Sequence, residues 1–243
     1  MTLNERGNHI RGGTKGFDKQ LWHVVPFAKE SSVGATLSLV SPDGDQGYPG
    51  ELTTKIIYEL KDDNELDIQI SAKTNKSTVI NLTHHSYFNL AINGSVMNHM
   101  MEIPANYITP VDKDLIPTGE LQPVARTPFD FTKGKIIGQD IEHNDKQLQY
   151  GQGYDHTWII NLENTGTLKP AAKVVEPGSG RILEVFTTSP GMQFYSGNFL
   201  DGSTSGKGLP HNQRTAFCLE PQHFPDSPNK PAFPGTILEP GQT

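Results

Sequence analysis

Leu66-Asp67-Ile68-Gln69-Ile70-Ser71-Ala72 is the stretch that decides the fold class. Its apolar residues alternate with polar ones, the period of two that belongs to a strand with one buried face. Working outward, runs of similar character occur at residues 53–60, 78–82, 182–188, 192–195 and 215–220. Between them lie turn clusters such as Ser41-Pro42-Asp43-Gly44, Tyr48-Pro49-Gly50 and Glu176-Pro177-Gly178-Ser179-Gly180. No long helical period, internal repeat, low-complexity tract or linker interrupts them. The expectation is an all-β protein in which residues 1–243 form a single β-sandwich domain.

Composition agrees with a loop-rich, strand-rich protein. Gly 24 and Pro 18 supply turns, and only 19% of the 243 residues are charged, which excludes a disordered polyelectrolyte. A formal charge of -7 and the lack of any Lys/Arg run interleaved with aromatics exclude nucleic acid as a partner. No apolar stretch approaches the roughly 20 residues that span a bilayer, so no membrane partner is expected. The only cysteine, Cys218, cannot form an internal disulfide, which points to a reducing compartment and a cytoplasmic location. Nothing in the sequence sets the oligomeric state.

Standard motifs do not account for the chemistry. Gly202 to Gly208 has the wrong spacing for a phosphate loop, and Gly208 stands where a Ser or Thr is required. The histidines form no HExxH or other paired metal spacing, so no metal site is expected. Cys218 reads as a small packed hydrophobe.

Four other segments carry side chains suited to a ligand. Thr83-His84-His85-Ser86-Tyr87-Phe88-Asn89-Leu90 is read as the close of a strand and the start of a loop, where at most one of the two histidines faces a given pocket. The same alternation separates Asp155 from His156 in Gly153-Tyr154-Asp155-His156. In residues 215–222, Ala216, Cys218 and Glu220 share one face while Phe217 and Leu219 share the other. A strand-end Glu220 on a small-residue face suits the wall of a pocket, where partial desolvation would raise its pKa toward that of a useful base. The fourth segment is the Gly-rich loop Arg11-Gly12-Gly13-Thr14-Lys15-Gly16-Phe17-Asp18-Lys19.

In this order, these four segments make the chain resemble the aldose 1-epimerases, also called galactose mutarotases. Arg11-Gly12-Gly13 through Phe17-Asp18-Lys19 is similar to the family's His-Gly-Gly loop followed by Gly-Phe-Asp-Lys. His84-His85-Ser86-Tyr87-Phe88-Asn89-Leu90 resembles its Asn-His-Ser-Tyr-Phe-Asn-Leu, and Gly153-Tyr154-Asp155-His156 its Gly-Phe-Asp-His. Phe217-Cys218-Leu219-Glu220 with Gln222 resembles its Leu-Glu-x-Gln segment. Gln193-Phe194-Tyr195-Ser196-Gly197-Asn198-Phe199 is a further match.

The resemblance implies the family's large antiparallel β-sandwich, no metal or organic cofactor, and a small aldose of the glucose or galactose type as substrate. The implied activity is interconversion of α and β anomers, with Glu220 as base, His85 as acid, and Asp155 and Gln193 holding sugar hydroxyls. Arg11 occupies the place of the family's hydroxyl-binding histidine and is the remaining substrate-binding candidate, with His9 two positions earlier as a substitute. The family has a portion before this loop and a strand after Pro240-Gly241, so an incomplete sheet with exposed edges is expected. Two other functions fit the same residues: a catalytically silent sugar sensor, and glycoside hydrolysis by Asp155 and Glu220.

Overall fold

The computed structural model describes residues 1–162 and 166–243. The first strands in chain order are β1 (His23–Lys29), β2 (Ser32–Ser41), β3 (Leu52–Lys61), β4 (Leu66–Thr74) and β5 (Thr78–Val79). There follow β6 (Tyr87–Phe88), β7 (Met100–Glu102), β8 (Tyr107–Thr109), β9 (Gln122–Pro123) and β10 (Lys135–Ile136). The α-helix α1 (Lys146–Gly151) starts at Asp145, whose Oδ1 accepts from the N–H groups of Gln147 and Leu148. After it come β11 (Asp155–Ile159), β12 (Lys169–Val175), β13 (Ile182–Thr187) and β14 (Gly191–Tyr195). The last are β15 (Ser205–Gly206), β16 (Leu209–Pro210), β17 (Phe217–Gln222) and β18 (Ile237–Leu238).

Every strand pairing among the described residues is antiparallel, as the sequence led one to expect. Backbone contacts divide the chain into two compact units, residues 1–82 with 236–243, and residues 83–235.

The first unit holds a four-stranded sheet in the order β1-β2-β3-β4, and the small pair β5 and β18. Long strands form here because the alternation is regular and the register aligns it. Val33 lies opposite Leu60 and Leu60 opposite Leu66; the next rows are Ala35, Tyr58, Ile68 and Leu37, Ile56, Ile70. One face is therefore apolar from edge to edge.

The second unit is a sandwich of its own. A six-stranded sheet runs β6-β17-β14-β11-β8-β9, and a four-stranded sheet runs β10-β7-β12-β13. One core cluster joins them: Trp158, Phe194, Met192, Leu219 and Phe217 from the first sheet, Met101, Ala172 and Val174 from the second, with Phe129, Phe131 and Tyr154 between elements. A register shift between Pro170 and Ala172 bulges β12 locally.

Three strand expectations change. The segment 83–90, read as a strand closing at its histidines, has its strand only at Tyr87–Phe88, after them. The run 78–82 is a strand only at Thr78–Val79, although the Ile80 N–H still donates to Thr236 O. The run 215–220 is shifted to Phe217–Gln222 because the Thr215 Oγ1 and N–H both donate to Asn212 O, a turn that competes with the ladder. Glu220 is thus inside β17 and not at its end. Pro221 is tolerated there because β6 pairs only with Phe217 and Cys218, leaving that side of the strand open beyond them.

Candidate active site

Residues of one parity on the six-stranded sheet enter the core, and those of the other parity form a polar face. Pairing sets two rows on that face. Thr109, Thr157, Gln193 and Glu220 stand opposite one another across β8, β11, β14 and β17. Asp155, Tyr195, Cys218 and Tyr87 form the next row across β11, β14, β17 and β6. Directly opposed side chains lie within about 4.5–5.5 Å at Cβ, so this register alone concentrates the polar groups.

Hydrogen bonds hold the row in place. Thr157 Oγ1 donates to Gln193 Oε1, and Gln193 Nε2 donates to Asp155 Oδ1 at 2.7 Å. Glu220 is buried, with its side chain 9% exposed, and His85 Nε2 lies 3.4 Å from Glu220 Oε1. Extending the β6 and β17 register two residues past Tyr87 and Cys218 sets His85 opposite Glu220, which is why these two meet. The His85 ring stacks on Tyr87 with centroids 5.1 Å apart and planes at 22°, and Tyr195 meets it edge-on. Tyr195 is itself pinned, its hydroxyl accepting the Phe199 N–H at 2.8 Å.

The loops around these strands explain the motifs. Asn89 Nδ2 donates to Gly94 O and Thr215 O, and Asn89 Oδ1 accepts from Ala91 N, tying the segment after His85 to the turn before β17. Gly153 has φ +136° and a Cβ there would sit 2.4 Å from Asn198 Oδ1, so only glycine fits. Asn198 Nδ2 donates to Gly151 O and Tyr154 O, while Ser196 Oγ donates to Asn198 Oδ1. This buried set fixes the turn that launches Asp155 toward the polar face.

The neighbouring histidines do different work. His84 is half-buried, its Nδ1 accepts from the Ser86 N–H at 3.3 Å, and burial lowers its pKa. His156 enters the core, edge-on to Phe129. Its Nδ1 accepts from the Asp155 N–H, which makes Nε2 the donor to Gln147 Oε1 and the ring neutral. Burial holds its pKa down at about 3.

Glu220, His85, Asp155 and Gln193 are therefore brought together in the second unit. Arg11 lies in the first, exposed on a turn with φ 53°. His9 is engaged within that same unit: Nδ1 is 2.6 Å from Thr2 O and Nε2 2.6 Å from the Tyr48 hydroxyl. Sequence reasoning did not single out Thr157, Tyr87 or Tyr195. Parity with Asp155 and Gln193 marks Thr157 and Tyr195 as sharing their faces, but only the register shows that these faces coincide.

The family model for aldose 1-epimerase matches residues 1–243. This chain belongs to the aldose 1-epimerase family. Galactose mutarotase from Bos taurus is 43% identical over 245 residues, covering 100% of this chain and 68% of the relative. Aldose 1-epimerase from Escherichia coli (strain K12) is 39% identical over 238 residues, covering 97% of this chain and 67% of the relative. Among solved structures, galactose 1-epimerase from Lactobacillus acidophilus NCFM superposes with a TM-score of 0.84 at 30% identity, covering 98% of this chain and 68% of that one. The fold is that of these epimerases. Among the described residues no helix is long and apolar enough to cross a membrane.

Proposed function

We propose that this aldose 1-epimerase interconverts the α and β anomers of a free aldose with Glu220 as base and His85 as acid. The reading rests above all on the 3.4 Å approach of His85 Nε2 to Glu220 Oε1 at the end of a polar row. Anomer exchange requires a proton to leave the anomeric hydroxyl and one to reach the ring oxygen. Both oxygens are bonded to the same carbon, so base and acid must converge on one place, as these two do.

Glu220 takes the hydroxyl proton, the C1–hydroxyl bond becomes a carbonyl, the C1–ring-oxygen bond breaks, and His85 protonates the departing oxygen. Rotation about C1–C2 presents the other carbonyl face, and the same groups run the steps in reverse. One proton is taken and one given, so no electrons enter or leave. Each group contributes about 10²–10⁴-fold when well placed.

Asp155 and Gln193 bind sugar hydroxyls. One N–H of Gln193 Nε2 donates to Asp155 Oδ1, which orients the amide and the carboxylate side by side as a donor–acceptor pair suited to a diol. Galactose or glucose is the substrate type, in keeping with the names of the galactose mutarotases that this chain resembles. The family match extends over both compact units, which supports residues 1–243 acting as one domain. A cytosolic setting suits a protein whose sole cysteine forms no disulfide.

The test is polarimetry on freshly dissolved α-galactose and α-glucose with the parent, Glu220→Gln and His85→Asn proteins. Accelerated rotation change with the parent and its loss in both variants is the expected result. Parent-like rates in either variant refute the assigned pair. Sugar binding by a parent without acceleration would mark a sensor instead.

A further inference from the structure

Cys218 stands beside the proton-transfer pair without a part in that chemistry. Cys218 and Glu220 share a face of β17 two residues apart, and the β6 register, extended by two residues, sets His85 opposite Glu220. One ligand atom from each of His85, Cys218 and Glu220 lies within 4.8 Å of the other two. Local motif spacing gave no hint of this set, because its members are joined by strand register and not by sequence proximity.

We propose that His85, Cys218 and Glu220 form a zinc site whose occupation switches the epimerase off. The donor set is a thiolate, an imidazole and a carboxylate. That combination suits a borderline-soft cation of tetrahedral preference and disfavours calcium or magnesium, which take oxygen ligands. At zinc–sulfur and zinc–nitrogen distances near 2.3 and 2.0 Å, tetrahedral ligand atoms stand roughly 3.5 Å apart. His85 and Glu220 already meet that spacing at 3.4 Å. With all three ligand atoms within 4.8 Å of one another, the sulfur has at most about 1.3 Å to close to reach that spacing.

Access is through His85, whose side chain is 35% exposed, since Cys218 is fully buried. Binding replaces the Cys218 S–H bond by a sulfur–zinc bond and sends that proton to solvent. The fourth position stays open to water or a sugar hydroxyl. Zinc then holds the lone pairs that Glu220 and His85 need for moving protons, so the bound protein is inactive.

That last consequence rests on the proposed roles of Glu220 and His85, whereas occupation of the site does not. The decisive experiment titrates the reduced parent chain with cobalt(II), then with zinc, and follows absorption and mutarotation in parallel. One equivalent of cobalt is expected to give an intense thiolate-to-cobalt charge-transfer band that zinc displaces. Zinc is expected to suppress mutarotation, and a chelator to restore it. Cys218→Ala and Cys218→Ser are expected to keep the metal-free rate, to lose the band, and to bind zinc more weakly. Because a direct ligand is removed, that weakening should exceed the about 10–100-fold that loss of an outer partner produces.

No thiolate band in the parent overturns the site without needing any variant to fold. Equal zinc affinity in the parent and a folded Cys218 variant does so too. A band in a parent that shows no mutarotation would uphold the site and count against the catalytic reading.

Discussion

The sheet of the first unit and the six-stranded sheet of the second present the same alternation with different outcomes. On β2, β3 and β4, Val33, Leu60 and Leu66 align in one apolar row, yet they remain 54%, 51% and 55% exposed. On β11 and β14, Trp158, Met192 and Phe194 are 0% exposed. Alternation therefore tells which face is apolar, and says nothing about how deeply that face is buried. The second sheet also differs on its reverse side, where the opposite parity carries Asp155, Gln193 and Glu220. A strand there carries the core on one side and the proposed site on the other, so its two parities should fail in separable ways.

The sharpest separation is between activity and stability. Glu220→Gln and His85→Asn should each lower mutarotation by about 10²–10⁴-fold while leaving the denaturant midpoint near that of the parent. A midpoint falling together with activity would mean that the polar face is structural.

The converse variant is Phe194→Ala, one residue from Gln193 but on the core side. It should lower stability by about 3–5 kcal/mol in urea titrations, through lost burial and the cavity left behind. A small effect would break the contrast between the two sheets.

His156 supplies a pH arm. Its folded pKa of about 3 lies below the ordinary 6.5, so the unfolded chain binds the proton more readily. Its contribution is fully present above about pH 6.5 and is lost as pH falls toward 3, with a slope of up to about 1.4 kcal/mol per pH unit. Protonation would also set an N–H against the Asp155 N–H that Nδ1 now accepts. His156→Gln should flatten the acid limb by about one proton, measured as urea stability at a series of pH values. An unchanged slope would assign acid sensitivity elsewhere.

The smallest effects belong to exposed or outward positions. Val33→Thr should change stability by no more than about 0.5 kcal/mol. His84→Asn should leave mutarotation close to that of the parent, since His84 hydrogen-bonds its own loop. A loss equal to that of His85→Asn would reverse the choice of acid.

Strand parity was legible because it is a local property. It separated Asp155 from His156, and Cys218 and Glu220 from Phe217 and Leu219, before any pairing was known. The start of β17 was not legible, because whether Thr215 joins a ladder depends on a turn to Asn212 that competes with it. Nor was the shortening of the run 78–82 to Thr78–Val79, which depends on its partner β18 far along the chain.

What the sequence by itself determined is the fold class and the residues of each face, since a backbone period of two acts on neighbours alone. The family's segments implied a sugar substrate and the Glu220 and His85 pair proposed above. Only the tertiary structure decided which faces meet. Register joins Gln193 to Glu220 and Tyr195 to Cys218, and it brings a ring nitrogen of His85 within 4.8 Å of ligand atoms of both Cys218 and Glu220. That register is chosen by hydrogen bonds and burial summed over whole strands, so no single stretch of sequence contains it.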